Sequence, residues 1–256
     1  MNIQEEKRPF VVIGGGIGGL AAALGIAQNG YSVTVLERAP KFGELGAGLQ
    51  LAPNAMAVLD KLGVLDRIQE YAVFPKRLVL KDIFTGEELT SLDLGEKFRE
   101  RYGYPYIVMH RSDLHTILLN ACQNNNHVTL LNDKEVKTID HLDNGAKITC
   151  SDDSVYRAEA VVGADGFQST TRRLIKKDNL VGSKYVAYRG AIPIEEAGFE
   201  KDMNDVIAWI GPHRHFVQYP IRRKELYNQV AVFRSFRYSE DSDDWGTPDE
   251  LDEAFG

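Results

Sequence analysis

Between Val11 and Leu24 the sequence reads VVIGGGIGGLAAAL, with five glycines in the six positions from Gly14 to Gly19. An ordered glycine costs backbone entropy, so a run this dense marks a place where something approaches the main chain closely. The apolar run Phe10–Ile13 precedes it, and an Ala- and Leu-rich stretch of high helix propensity follows. Gly14, Gly16 and Gly19 therefore fit G-x-G-x-x-G at a strand-to-helix turn. In such a turn the first glycine permits the bend and the second lets a pyrophosphate reach the backbone. The third lets the helix pack closely on the strand. From Ile17 onward the helix N-terminus offers unpaired N–H groups and a partial positive charge to the phosphates.

The same unit calls for an acid at the end of the next strand. Tyr31–Leu36 is that strand by composition, after a turn at Asn29-Gly30, and Glu37 closes it. A carboxylate there accepts the hydroxyls of an adenosine ribose. Arg38 follows directly; with Glu37 on the ribose it has no 2′-phosphate to bind. GELGAGLQL, residues 43–51, reads as a loop whose three glycines could also lie against a ligand, Gly48 among them. These residues predict a bound dinucleotide, without deciding which.

The other positions are placed by their elements. A helix is expected over Pro53–Leu62, closed by Gly63, then two strands about a turn at Thr85-Gly86. Ser112 is the expected N-cap of the helix DLHTILLNAC. Three short strands fall between Val128 and Ser151, and AEAVVGADG is a buried strand running into a turn at Asp165-Gly166. From Tyr185 to Ser235 strands follow one another without intervening helices. The layout is α/β: a Rossmann-like nucleotide-binding unit from residues 1–70 and 105–180, interleaved with an antiparallel sheet from 75–104 and 181–238. Residues 239–256 form an acidic segment that opens a helix, with Thr247 as N-cap, Pro248 at the first position and Glu250 completing a capping box. That helix is expected to be cut short by the end of the sequence.

With 256 residues, the chain can bury a substantial core. The net charge of −7 is local: eight acids and no Lys or Arg follow Ser239, which leaves +1 for the rest. There is no basic stripe for nucleic acid and no apolar run of about 18 residues for a membrane span. The polar start carries no secretory or transit signal, so the expected location is cytoplasmic. Cys122 and Cys150 form no C-x-x-C, and two buried thiols are expected rather than a metal site.

Taken together, these motifs resemble the single-component flavoprotein aromatic hydroxylases with the p-hydroxybenzoate hydroxylase fold, most of all the salicylate and 3-hydroxybenzoate hydroxylases. The resemblance runs from Phe10 to the end of the chain. It rests on the glycine turn with Glu37, on VVGADGFQSTTR with Asp165, Gly166, Ser169 and Arg172, and on HRSDLH with Arg111. It implies tightly bound, non-covalent FAD at Gly14, Gly16, Ile17, Gly19, Glu37, Arg38, Gly48, Arg111 and Asp165. It also implies NADH or NADPH as a transient co-substrate, O2, a small phenolic acid and a possible homodimer.

The reaction implied is ring hydroxylation through a flavin hydroperoxide. GPHRHFVQYPI adds His215 and Tyr219, four apart and so on one face of a strand. The resemblance makes them the substrate-side pair, His215 as the base that draws a proton from a phenol and Tyr219 as an orienting or relay group. A plain aromatic pair in the sheet core is the competing reading. The chain departs from the family in lacking its later Gly-Asp motif, which leaves a non-catalytic or truncated remnant as an alternative. An NAD-dependent dehydrogenase is the other rival, and it requires a continuous parallel sheet.

Overall fold

The glycine turn sits where two regular elements meet, and the computed structural model shows what holds it. It describes residues 5–43, 46–176, 178, 181–198, 204–239 and 246–256. Glu5–Ile13 is β1, followed by α1 (Ile17–Gln28) and β2 (Val33–Leu36). Next come β3 (Gly48–Leu51), α2 (Pro53–Lys61) and α3 (Leu65–Tyr71). The hairpin β4 (Arg77–Asp82) and β5 (Glu88–Asp93) precedes α4 (Glu96–Tyr102), β6 (Ile107–His110) and α5 (Arg111–Gln123). Four strands follow: β7 (Val128–Leu131), β8 (Val136–Leu142), β9 (Gly145–Cys150) and β10 (Val155–Gly163). After α6 (Thr170–Ile175) come β11 (Tyr185–Pro193), β12 (Val206–Gly211), β13 (Arg214–Ile221), β14 (Leu226–Arg234) and α7 (Pro248–Phe255).

The chain divides into two compact units. The first comprises Met1–Leu45, Leu59–Asp66 and Ser112–Asn179. Its sheet has the order β7-β2-β1-β10-β9-β8. The first four strands run parallel, and β9 and β8 are antiparallel additions. Val33–Leu36 is buried at every position, as a strand covered on both faces must be. Val11, Ile13, Leu36, Ile148 and Tyr156 form one side of the core. Both cysteines are buried, and burial pushes the Cys122 thiol up to about 12.

The second unit comprises Gly46–Val58, Arg67–Arg111 and Leu180–Gly256. Its main sheet has the order β11-β14-β13-β12-β4-β5. One face packs Val186, Phe233 and Ala254 of α7, and the other packs Val73, Val108, Val206, Tyr219 and Ile221. Antiparallel pairing dominates, but β12 and β4 are parallel.

Several expectations need correction. Gly46–Val58, expected with the nucleotide-binding residues, groups with the sheet instead, because Gly48–Leu51 is strand β3 paired with β6. Residues 105–111 move with it, and α7, expected as part of a separate acidic segment, falls in the second unit. Tyr31 and Ser32 lie outside β2. Ser112 is not an N-cap: strand β6 passes straight into α5 at Arg111, whose N–H donates to the Ala47 carbonyl at 3.0 Å. Glu44, Leu45 and residues 240–245 lie outside the described residues. Among the described residues no helix is long and apolar enough to cross a membrane.

Candidate active site

In the first unit every contact of the glycine turn is with main chain or a fixed side chain. Gly14 has φ +102°, its N–H donates to Leu36 O at 2.8 Å, and a Cβ would lie 2.4 Å from Ala164 O. Only glycine tolerates both constraints. A Cβ on Gly19 would fall 1.9 Å from Gly14 O, so the first turn of α1 can approach the strand only without a side chain there. Gly16 occupies the N-cap with no side-chain cap, and the first turn carries no acid. The position a Cβ would take on Gly18 has nothing within 4 Å. The N–H groups of Ile17, Gly18 and Gly19 are thus left to an anion, which fits a pyrophosphate.

Glu37 grips the same turn. One carboxylate oxygen accepts from Gly15 N–H at 2.6 Å and the other from Ala39 N–H at 2.9 Å. An ionised carboxylate has about four acceptor sites. Two therefore remain for ribose hydroxyls. Arg38 is exposed beside it.

His115 escaped the sequence reading. It is buried on α5, and its Nε2 lies 2.8 Å from Gly15 O. Gly15 is therefore held at its N–H by Glu37 and at its carbonyl by His115, while Phe42 closes the space a Cβ would need. The signal was present as the second histidine of HRSDLH, at the spacing of one helical turn from Arg111.

Asp165 sits after β10 and turns its carboxylate into the start of α6. It accepts from Ser169 Oγ at 2.5 Å, Thr170 N–H at 2.7 Å and Thr171 N–H at 3.1 Å. Burial raises its pKa, but the hydrogen bonds from Ser169 and the α6 N–H groups outweigh this and hold it below the usual carboxylate range. Ser169 caps α6 by accepting from Arg172 N–H at 2.9 Å, and the Arg172 guanidinium pairs with Asp178 at the surface.

In the second unit Gly48 and Tyr219 come together. The Gly48 N–H donates to Asn228 Oδ1 at 2.6 Å, and a Cβ on Gly48 would meet the Tyr219 ring at 2.6 Å. Tyr219 is 2% exposed, with Gln50 beside its hydroxyl. Burial pushes its pKa up to about 12, so it is a neutral phenol at any ordinary pH. Tyr106 donates in turn to Gln50 Oε1. His215 lies on the same face of β13, flanked by Ile210 and Val232, but half-buried rather than enclosed. The pair therefore splits: Tyr219 packs in the core cluster and His215 stands on the open part of the face. His213 occupies the two-residue β12–β13 turn at φ +59°. Arg111 is exposed at the β6–α5 junction.

The profile of the FAD binding domain family matches residues 7–255. The chain is 36% identical over 238 residues to the 3-hydroxybenzoate 6-hydroxylase of Polaromonas naphthalenivorans (strain CJ2), covering 93% of this chain and 58% of that protein. It is also 36% identical to 3-hydroxybenzoate 6-hydroxylase 1 of Aquipseudomonas alcaligenes, covering 96% of this chain and 62% of the relative. The tetrameric form of 2-methyl-3-hydroxypyridine-5-carboxylic acid oxygenase superposes with a TM-score of 0.73 at 27% identity, over 88% of this chain and 58% of that structure. The chain thus spans about three fifths of the length of the relatives it matches. The family match, over almost the whole chain, takes the glycine turn's assignment away from the dehydrogenase alternative: the chain belongs to the FAD binding domain family.

Proposed function

We propose that this chain carries the FAD-binding turn and the substrate-facing sheet of a monooxygenase that hydroxylates a phenolic aromatic acid, using NADH or NADPH and O2. The observation that carries the reading is 36% identity to 3-hydroxybenzoate 6-hydroxylases across almost the whole chain. The half-buried imidazole of His215 on an open sheet face adds a group suited to a phenol. FAD, when bound, supplies the oxygen activation and the reducing chemistry.

The protein's own residues do the rest. The α1 N-terminus takes the pyrophosphate, Glu37 the ribose, and Asp165 stiffens the segment after β10. The resemblance also gives Gly16, Ile17, Gly19 and Arg38 of the first unit, and Gly48 and Arg111 of the second, to flavin binding. His215 accepts the phenolic proton at an imidazole nitrogen, which makes the ring a better nucleophile. Tyr219, kept neutral by burial, holds its hydroxyl proton and anchors the floor of the face. A cytoplasmic location and a homodimer belong to the same proposal.

An absorbance spectrum followed by NADH oxidation with a panel of phenolic acids tests it. A flavin spectrum and a hydroxylated product formed only with one subset of acids are expected. His215→Ala is expected to keep flavin content and melting temperature, to lose about 10²-fold in hydroxylation and to release more peroxide. Normal coupling with a large loss of stability would return His215 to the core.

A further inference from the structure

Gly15 is buried, and side chains from two other elements hold both of its main-chain polar groups. Glu37, after β2, accepts its N–H at 2.6 Å, and His115 on α5 places Nε2 at 2.8 Å from its carbonyl oxygen. A carbonyl only accepts, so the hydrogen of the second bond sits on Nε2. His115 is 2% exposed. Helix α5 meets α1 again at Cys122, whose Sγ donates to Leu20 O at 3.5 Å. His115, Leu118 and Cys122 share one face of α5 and all are buried, so the imidazole is fixed against α1 and cannot swing away.

The Gly15–Gly16 peptide is trans, and in a planar trans peptide the N–H points opposite to the carbonyl. Tying the Gly15 carbonyl to α5 therefore aims the Gly16 N–H in the opposite direction. Among the described residues that N–H meets no acceptor. Gly16 is the N-cap of α1, where the first N–H groups of the helix also stand open.

We propose that His115 is a positioning residue for the dinucleotide, resting on the flavin-binding reading of this turn: by holding the Gly15 carbonyl it directs the Gly16 N–H at the pyrophosphate. Without that bond a glycine-rich turn rotates this peptide at little steric cost, and the donor leaves the phosphate. Glu37 does not replace it, because the Gly15 N–H belongs to the preceding peptide. Ribose recognition by Glu37 does not pass through His115, so the two parts of a nucleotide separate the two roles.

Dissociation constants of ADP and of adenosine, which lacks the phosphates, are measured by NMR titration for wild type, His115→Phe and His115→Gln. Wild type is expected to prefer ADP by about tenfold or more, as charge-assisted bonds to N–H groups imply. His115→Phe fills the space without a donor and is expected to lose most of that preference with adenosine affinity unchanged. His115→Gln, whose amide N–H can reach the carbonyl, is expected to restore it. If wild type binds both ligands equally, the flavin-binding reading of the turn falls. If His115→Phe keeps the full preference, or weakens ADP and adenosine alike, that reading stands and the assignment of His115 is overturned. Should His115→Phe fail to fold, the wild-type nitrogen-15 spectrum decides: a hydrogen on Nε2 and a Gly16 amide that shifts with ADP but not with adenosine support the proposal. An Nε2 without hydrogen, or a Gly16 amide that ADP leaves in place, overturns it.

Discussion

Glu37 shows how much one side chain is asked to do. Its two oxygens already hold the N–H groups of Gly15 and Ala39, so it shapes the turn before any ribose arrives. Glu37→Ala is therefore expected to weaken FAD binding in two ways, by removing the ribose acceptor and by releasing Gly15. Loss of charge-assisted bonds of this kind costs about 1.5–3 kcal/mol, or tenfold or more in affinity. Glu37→Gln keeps an acceptor for one N–H and is expected to fall between the two. Unchanged affinity of Glu37→Ala in a flavin titration would remove the residue from the site. Gly48 makes the complementary point by what it lacks. With a Cβ 2.6 Å from the Tyr219 ring and 2.7 Å from Asn228 Cγ, Gly48→Ala must push a buried ring or shift β3. Overpacking of that kind costs about 1–3 kcal/mol, and thermal denaturation checks it.

At the scale of elements, α7 separates the pattern from the contacts that realise it. Thr247, Pro248 and Glu250 have the spacing of a capping box, and the helix begins where that spacing places it. The reciprocal bonds do not form. Thr247 makes no side-chain cap, and Glu250 is fully buried, accepting from Ser235 Oγ at 2.5 Å and from the N–H groups of Phe236 at 2.6 Å and Gly246 at 2.9 Å. A helix-start signal has become a clamp between α7 and the residues after β14. Thr247→Ala is accordingly expected to change stability by less than about 0.5 kcal/mol. Glu250→Ala strands several buried donors and is expected to cost about 3 kcal/mol or more; equal effects in urea unfolding would contradict this.

The same contrast marks what could be read beforehand. The glycine turn, β1, β2 and the hairpin strands were legible because each is a local pattern of period or turn chemistry. The grip of His115 on Gly15, and the pairing of β3 with β6 in a glycine-rich stretch, were not. Both depend on residues about 60 to 100 positions apart meeting in space, which no local period records. His215 and Tyr219 share a face as their spacing implies, but which of them is enclosed was decided by β3 and Gly48.

Across the whole molecule, each unit keeps charged a carboxylate held by several hydrogen bonds, half-buried Asp165 in the first and buried Glu250 in the second. Asp165 in the first and Glu250 in the second both lie below the usual carboxylate range, since hydrogen bonds from hydroxyl and main-chain donors outweigh the burial that opposes ionisation. In the unfolded chain the same groups titrate near pH 4. A depressed folded pKa adds stability above the unfolded value, and that stability is lost as pH falls through the unfolded and then the folded pKa. Acidification below about pH 4 is therefore expected to weaken both units, the first also through Asp152, which the Lys134 and Ser154 hydrogen bonds hold down to about 2. Asp165→Asn is expected to lower stability at pH 7 and to reduce the acid dependence of the first unit, leaving the part that Asp152 carries. Glu250→Gln is expected to do so for the second, where Trp209, hydrogen bonded to Gln218 at 3.0 Å, reports on the sheet. Hydrogen exchange measured from pH 7 to pH 3 follows β1 and β10 in one unit and β13 and β14 in the other. If Glu250→Gln left the acid response of β13 and β14 as steep as in the wild type, its carboxylate would not be the group that titrates.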